Sequence, residues 1–201
     1  MSTVEILSLE HEGMRFSARA TGAGPLVLML HGFPDDYHSF DAQMTAIAAE
    51  GYRVVAPMMR GYETTSCSSR DLYHLIHLAS DVLAWMDFLG AKQCHLVGHD
   101  WGALTSYVAV ALHPKRFASL TTLAIPHLRR GLQGVAGVPA QLVKSAYILL
   151  MQFQKASEAI VERDDYAFIE ALWRRWSPSW QYAPADIEQV KSTFRAEGVT
   201  H

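Results

Sequence analysis

The spacing of apolar residues alternates between strand-like and helix-like along the first part of the chain. Residues 4–10 alternate, residues 11–13 form a turn and Met14–Thr21 continues in extended form, which predicts an N-terminal hairpin. Leu26–Leu30 is wholly apolar, as expected for a strand buried on both faces of a parallel sheet. Further strands are predicted at residues 53–56, 93–97 and 120–125, and helices at residues 40–50, 71–89 and 103–112.

This order of elements implies right-handed crossovers and a mostly parallel sheet covered on both faces, which is an α/β fold. The character of the sequence changes after Pro126. A stretch rich in glycine at residues 131–139 predicts a loop, and the helical segments beyond it carry Trp173, Trp176 and Trp180. We therefore predict an α/β core at residues 1–126 and a helical region at residues 127–201.

Composition excludes several classes of function. The chain has 201 residues, half of them hydrophobic, and a formal net charge of −3 without a basic run, so neither a nucleic-acid partner nor a membrane-surface partner is expected. Cys67 and Cys94 do not form a CxxC pair, and we predict no metal and no cofactor. The N-terminus lacks a signal-peptide pattern and the apolar runs are too short to span a bilayer, so the expected location is the cytoplasm.

The segment Gly98-His99-Asp100-Trp101-Gly102 lies between a predicted strand and a predicted helix. This is the setting of a nucleophile elbow, whose glycines permit a tight turn that exposes the central side chain at the edge of the sheet. The central residue is Asp100, and a carboxylate, with a reference pKa of about 3.9, is ionised at neutral pH. It therefore attacks carbon without a base, which is needed only to activate water against the alkyl ester. The alternative, Asp100 as a helix N-cap, does not explain the flanking glycines.

The segment His31-Gly32-Phe33-Pro34 directly follows the predicted strand Leu26–Leu30. Next to a nucleophile elbow, such a loop supplies one backbone N–H to an oxyanion hole, and the residue after the nucleophile supplies the other. We therefore predict that the N–H groups of Phe33 and Trp101 stabilise the oxyanion. Taken alone, the segment would be interpreted as an ordinary turn.

Together these motifs resemble the α/β-hydrolase superfamily, on its epoxide hydrolase branch. Members share HGFP, a P-x-x-R-G-Y segment and GHDWG, which correspond here to residues 31–34, 57–62 and 98–102. Met58 departs from the pattern, because the branch usually has aspartate after that proline. The resemblance implies the α/β-hydrolase fold: a mostly parallel sheet with an N-terminal hairpin and a helical cap over the active site, of which residues 127–201 form an incomplete part.

The resemblance also assigns a cap residue. Family members carry a segment of the form S-W-Y, then a phenylalanine–glutamine pair and later a glutamate; the matching residues here are 145–147, 151–152 and Glu158. This places Tyr147 where the family has a tyrosine that hydrogen-bonds the epoxide oxygen and helps to protonate it. Ala146 and Met151 depart from the pattern, and a half-buried cap residue is the alternative for Tyr147.

The resemblance implies two further catalytic residues that the 201 residues do not supply. The order in this fold is nucleophile, acid, histidine, with the histidine after the final strand. The strand before the cap ends at Ile125 without a carboxylate, and no strand–loop pattern precedes His201. We expect the C-terminal strands to be absent from this chain. It is then a fragment of a normal enzyme, one half of a split enzyme, or a non-catalytic scaffold, and the first is favoured.

The leading functional hypothesis is an epoxide hydrolase-like enzyme that acts on a small apolar substrate, with this chain alone inactive or incomplete. A haloalkane dehalogenase uses the same aspartate chemistry, but that group usually has asparagine where Phe33 stands. A serine esterase is disfavoured because Asp100 occupies the serine position. A truncated scaffold that binds apolar ligands is the non-enzyme alternative.

A final expectation concerns the strand predicted at residues 120–125. In the family this strand is internal, paired with the strand that follows the cap. Without that partner it becomes an edge that is apolar, β-prone and uncharged, which favours aggregation. We therefore expect self-association through this edge.

Overall fold

The computed structural model describes residues 3–68, 72–127 and 154–200. The chain divides into two compact units, Met1–His127 and Leu128–His201. Six strands form the first unit's sheet: β1 (Glu5–His11), β2 (Met14–Thr21), β3 (Leu26–Leu30), β4 (Arg53–Pro57), β5 (Cys94–His99) and β6 (Phe117–Leu123). Its helices are α1 (Asp41–Ala49), α2 (Leu75–Phe88) and α3 (Trp101–Leu112).

The sheet is mixed and mostly parallel, with the strand order β1-β2-β4-β3-β5-β6. β1 and β2 form the predicted antiparallel hairpin, and β2 also pairs antiparallel with β4. The pairs β3–β4, β3–β5 and β5–β6 are parallel. The carboxyl ends of β3 and β5, which carry the two predicted active-site motifs, therefore lie side by side at one edge of the sheet. The predicted mostly parallel sheet and its N-terminal hairpin are therefore present.

Alternate residues of β3 face two different apolar clusters. Leu28 and Leu30 pack in a cluster that includes Trp85 of α2 and Ala109 of α3. Val27 and Met29 pack in the other, which includes Met44 of α1. Helices thus cover both faces of this strand, and all five of its residues are buried, as the uniform apolar pattern of Leu26–Leu30 predicted.

Two predicted elements differ from the structure by three or more residues at their start. Helix α2 begins at Leu75, four residues later than predicted, because His74 is still extended with a ψ of 148°. β6 runs from Phe117 to Leu123, whereas the apolar pattern predicted residues 120–125. Phe117 already pairs with Cys94, and the strand ends where Ala124 adopts a φ of 69°. The prediction was wrong there because it followed hydrophobicity rather than backbone pairing.

The second unit is helical where the structure describes it. α4 (Gln154–Trp176) leaves helical geometry between Arg163 and Tyr166, and α5 (Pro184–Phe194) follows. The ring of Trp173 packs against Trp180, with ring centroids 4.7 Å apart. No helix within residues 3–68, 72–127 and 154–200 is both long enough and apolar enough to cross a bilayer.

Candidate active site

Asp100 occupies the sharp turn between β5, which ends at His99, and α3, which begins at Trp101. Its backbone has φ 51° and ψ −115°, a combination that a side-chain-bearing residue adopts only under strain. Strain of this kind persists where the surrounding structure enforces it, and it recurs at catalytic residues. The side chain of Asp100 makes no N-capping hydrogen bond, so capping does not account for this aspartate.

Two glycines allow the elbow to pack tightly against the end of β3. A Cβ atom on Gly102 would collide with the backbone oxygen of Leu30, so a side chain there would push α3 away from the sheet. A Cβ atom on Gly32 would lie 2.6 Å from Oδ1 of Asp100. Glycine at these positions therefore brings the loop after β3 directly against the carboxylate.

The loop after β3 donates a hydrogen bond to the carboxylate of Asp100. The N–H of Phe33 donates to Oδ1 of Asp100 at 2.9 Å. A bond from a backbone N–H fixes one carboxylate oxygen and leaves the second free to act on a substrate. The residues predicted for the nucleophile and for one oxyanion donor are thus brought together, although they are 67 positions apart in the sequence.

The comparisons with known proteins agree with this architecture. The family model for the α/β hydrolase fold matches residues 25–167. The chain belongs to this family. An epoxide hydrolase of Caballeronia sordidicola is 41% identical over 120 residues, which are 59% of this chain and 36% of that protein. Epoxide hydrolase 4 of Homo sapiens is 33% identical over 198 residues, 94% of this chain and 54% of the human protein.

A solved structure extends the likeness to the second unit. The crystal structure of an epoxide hydrolase from Vigna radiata matches with a TM-score of 0.82 and 27% identity, covering 98% of this chain and 70% of that one. This α/β-hydrolase is therefore epoxide hydrolase-like in sequence and in fold. It spans about half the length, or less, of the two curated relatives named above.

Two further residues, Trp101 and Tyr147, were predicted to belong to the site of this α/β-hydrolase. Trp101 opens α3, so its N–H belongs to the first turn of the helix, where backbone donors lack helical partners. Among the described residues we find no bond from this N–H to the carboxylate of Asp100, and its oxyanion role stays a prediction. Tyr147 lies outside the described residues, so its role also stays a prediction.

Three residues that the sequence analysis did not select also belong to this site. Nδ1 of His99 lies 4.0 Å from Oδ2 of Asp35, which stands two positions after Phe33. Burial lowers the pKa of His99, which favours a neutral ring near pH 7, although the charge of Asp100 acts in the opposite direction. Burial raises the pKa of Tyr62 well above its ordinary value, and the charges of Asp100 and Asp35 add to this effect.

The sequence did contain signals for these residues. His99 and Asp35 directly adjoin the two motifs, and Tyr62 closes the P-x-x-R-G-Y segment. What the sequence could not supply is the crossover geometry that brings the three segments together at the carboxyl ends of neighbouring strands. Ligands of parallel α/β sheets bind at this edge.

Proposed function

We propose that this α/β-hydrolase performs the chemistry of an epoxide hydrolase, with Asp100 as the nucleophile. The substrate class is a small apolar epoxide, which the epoxide hydrolase-like sequence and fold favour. The single observation that carries the proposal is the 2.9 Å hydrogen bond from Phe33 N–H to Oδ1 of Asp100 at a strained elbow. An aspartate that served only as a helix cap would bond the N–H groups of its own helix instead.

The first step is attack on an epoxide carbon. The free oxygen of the Asp100 carboxylate forms a C–O ester bond as the epoxide C–O bond breaks, and the departing oxygen takes up a proton. We assign that proton to the hydroxyl of Tyr147. The step needs no general base, because a carboxylate at neutral pH is already the nucleophilic form.

The second step is hydrolysis of the ester. Water gives a proton to a base and attacks the carbonyl carbon of Asp100, and negative charge develops on the carbonyl oxygen of the ester. The bond from this carbon to the alkyl oxygen then breaks, the alkyl oxygen takes up a proton, and the diol leaves with the carboxylate of Asp100 restored. A backbone donor already in place on that oxygen stabilises the intermediate without reorganisation, and removal of one such donor commonly costs about 10² to 10³ in rate. Phe33 N–H occupies that position, and the N–H of Trp101 is the proposed second donor.

We further propose that the 201-residue polypeptide by itself stops at the ester. Hydrolysis needs a base to deprotonate water. His31 is fully buried and both of its ring nitrogens have backbone partners, so it is excluded from that role. His99, beside Asp35, is the alternative base within the described part of the chain.

An alkylation experiment tests the nucleophile. The protein is incubated with an aryl epoxide, and intact-mass and peptide-mass analysis locate the adduct. The half-buried thiol of Cys67 is replaced by serine in every sample, because a thiol also reacts with epoxides. We expect one stable adduct on Asp100 that is absent from Asp100→Asn and unchanged in the exposed control Asp87→Asn. An equal adduct yield on Asp100→Asn would refute the proposal.

We also propose self-association through β6, the last strand in the sheet order. β6 contains no charged residue, and four of its seven residues are exposed. Uncharged edges with free backbone groups pair readily with other strands.

A further inference from the structure

The ring of His31 contacts the peptide group that donates to Asp100. His31 directly follows β3 and is wholly buried. Its Nδ1 lies 3.3 Å from the carbonyl oxygen of Gly32. The same peptide unit, Gly32–Phe33, carries the N–H that donates to Oδ1 of Asp100. One peptide group is thus held by His31 at its oxygen and bonded to the nucleophile at its nitrogen.

The second ring nitrogen of His31 is anchored to a different segment. The backbone N–H of Met59 donates to Nε2 of His31 at 3.0 Å. Since a donor faces Nε2, this nitrogen must carry the lone pair, and the proton of the neutral ring must be on Nδ1. The Nδ1–H group then donates to the Gly32 carbonyl. The contacts therefore require one tautomer, which is also the one that holds the peptide.

The anchoring segment is itself fixed by a buried ion pair. Arg60, the residue after Met59, donates from Nε to Oδ2 of Asp81 at 2.9 Å and from Nη2 to Oδ1 at 2.7 Å. Its Nη1 also donates to the carbonyl of Leu72 at 3.1 Å. Paired guanidinium–carboxylate bonds define orientation as well as distance. Met59 therefore presents its N–H to His31 from a segment with little freedom to move.

We propose that His31 is a positioning residue that holds the Gly32–Phe33 peptide with its N–H toward Asp100. This inference rests on the proposed roles of Asp100 and Phe33. The N–H and C=O of a trans peptide point in opposite directions. A flip of this peptide would turn the Gly32 oxygen toward the Asp100 carboxylate, which repels it and removes the donor. His31 opposes the flip by binding that oxygen, together with the N–H of Asp35 at 2.9 Å.

The tautomer of His31 can be observed without any substrate. In protein labelled with ¹⁵N at its histidine rings, two-bond proton–nitrogen correlation spectra distinguish the neutral tautomers and the charged ring. The His31→Gln variant identifies the His31 signals among those of the ten histidines. We expect a neutral Nδ1–H ring at pH 7. A neutral Nε2–H ring or a charged ring would overturn the proposal.

A pair of variants tests the effect on chemistry. His31→Leu removes both polar contacts at similar size, whereas His31→Gln keeps a side-chain acceptor for Met59 N–H and a donor for the Gly32 carbonyl. We expect His31→Leu to slow the alkylation of Asp100 at saturating epoxide by about tenfold to hundredfold, the scale of a small misplacement of reacting groups. The epoxide concentration for half-maximal rate should change much less, and His31→Gln should restore most of the rate.

Controls separate this role from a general loss of structure. His113→Leu at an exposed position should leave the alkylation rate unchanged. Amide hydrogen exchange should show Met59 protected in the native protein and in His31→Gln, and exposed in His31→Leu. Equal alkylation rates for native protein and folded His31→Leu would overturn the proposal. If the native protein is not alkylated at all, the nucleophile assignment fails, while the tautomer and amide exchange still decide the His31 contacts.

Discussion

Arg60 and Asp81 form a bidentate ion pair in which both side chains are almost completely buried. Oδ1 of Asp81 also lies within hydrogen-bond distance, 2.7 Å, of Nδ1 of His11. Arg60 in addition binds the half-exposed Glu12 at 2.9 Å. The pair therefore joins α2 to the hairpin β1–β2 and to the segment after β4. Loss of one partner would leave the other charge buried and without its main counter-ion.

Asp81→Asn should consequently destabilise the fold strongly. Breaking a buried ion pair from one side costs about 3–5 kcal/mol in the free energy of unfolding. Glu12→Gln is the matched control, because pairs that reach solvent contribute about 0–1 kcal/mol. Urea unfolding followed by circular dichroism measures both. If the two variants lose similar amounts of unfolding free energy, the buried ion pair is not the main stabilising contact between these segments.

The buried His31 makes stability depend on pH in a definite direction. Burial lowers the pKa of His31 from 6.5 to about 4 in the folded protein. At pH values between these two, His31 is protonated in the unfolded state but neutral in the folded state. The free energy of unfolding is therefore intact above pH 6.5 and falls as the pH decreases toward 4. The full loss is roughly 3 kcal/mol at 1.36 kcal/mol per pKa unit.

Urea unfolding of the native protein and of His31→Gln at pH 7.5 and at pH 5 isolates this contribution. Glutamine does not titrate, so the native protein should lose more unfolding free energy than His31→Gln when the pH is lowered from 7.5 to 5. Groups remote from His31 titrate equally in both proteins and cancel. A difference that does not change between the two pH values would contradict the burial of a neutral His31.

Gly32→Ala should strongly slow the alkylation of Asp100. The added Cβ would lie 2.5 Å from Cβ of Asp100 and 2.8 Å from the carbonyl of His99, so the nucleophile and the loop must separate. We expect alkylation to fall by about 10² or more, since a displacement of 1 Å has effects of that size. Gly90→Ala is the control: its φ of 69° strains alanine, but nothing lies within 4 Å of the added atom. It should lose stability and keep the alkylation rate.

The difference between Gly32 and Gly90 also shows what the sequence could and could not predict. The apolar pattern alone predicted a helix that ends at residue 89, and Gly90, which directly follows, has the positive φ common where a helix ends. Gly32 was evident only as part of a motif. Its contact with Asp100 depends on β3 and β5 being neighbours in the sheet, and local patterns do not specify such long-range pairing.

The candidate site divides in the same way. Asp100 and Phe33 could be predicted because each lies in a short motif with a known mechanical role. The Asp35–His99 contact and the anchoring of His31 by Met59 could not, because both join segments from different strands. His31 lies in one of these motifs, but its partners and its tautomer follow only from the three-dimensional arrangement.

The 201-residue polypeptide should show no sustained production of diol from an aryl epoxide. Ester formation needs Asp100 and a proton donor but no base, whereas turnover needs a base for water. Diol is measured by chromatography over many equivalents of protein. Sustained turnover by the native protein that is lost in Asp100→Asn would contradict the prediction. If this turnover is also lost in the separate variant His99→Gln, His99 is the base.

Self-association should depend on β6 rather than on β1, the strand at the opposite edge of the sheet. β1 carries Glu5 and Glu10, and charged residues on an edge strand oppose pairing with another chain. β6, Phe117–Leu123, has no charge, and Leu123 at its end is 46% exposed.

We therefore expect Thr121→Lys, at an exposed position of β6, to shift the protein from oligomers toward monomers in size-exclusion chromatography with light scattering. Ile6→Lys, which places the same charge on the other edge at a residue that is 60% exposed, is the matched control and should have little effect. A native protein that elutes as a monomer at all concentrations, or oligomers that dissociate only with Ile6→Lys, would show that β6 is not the associating edge.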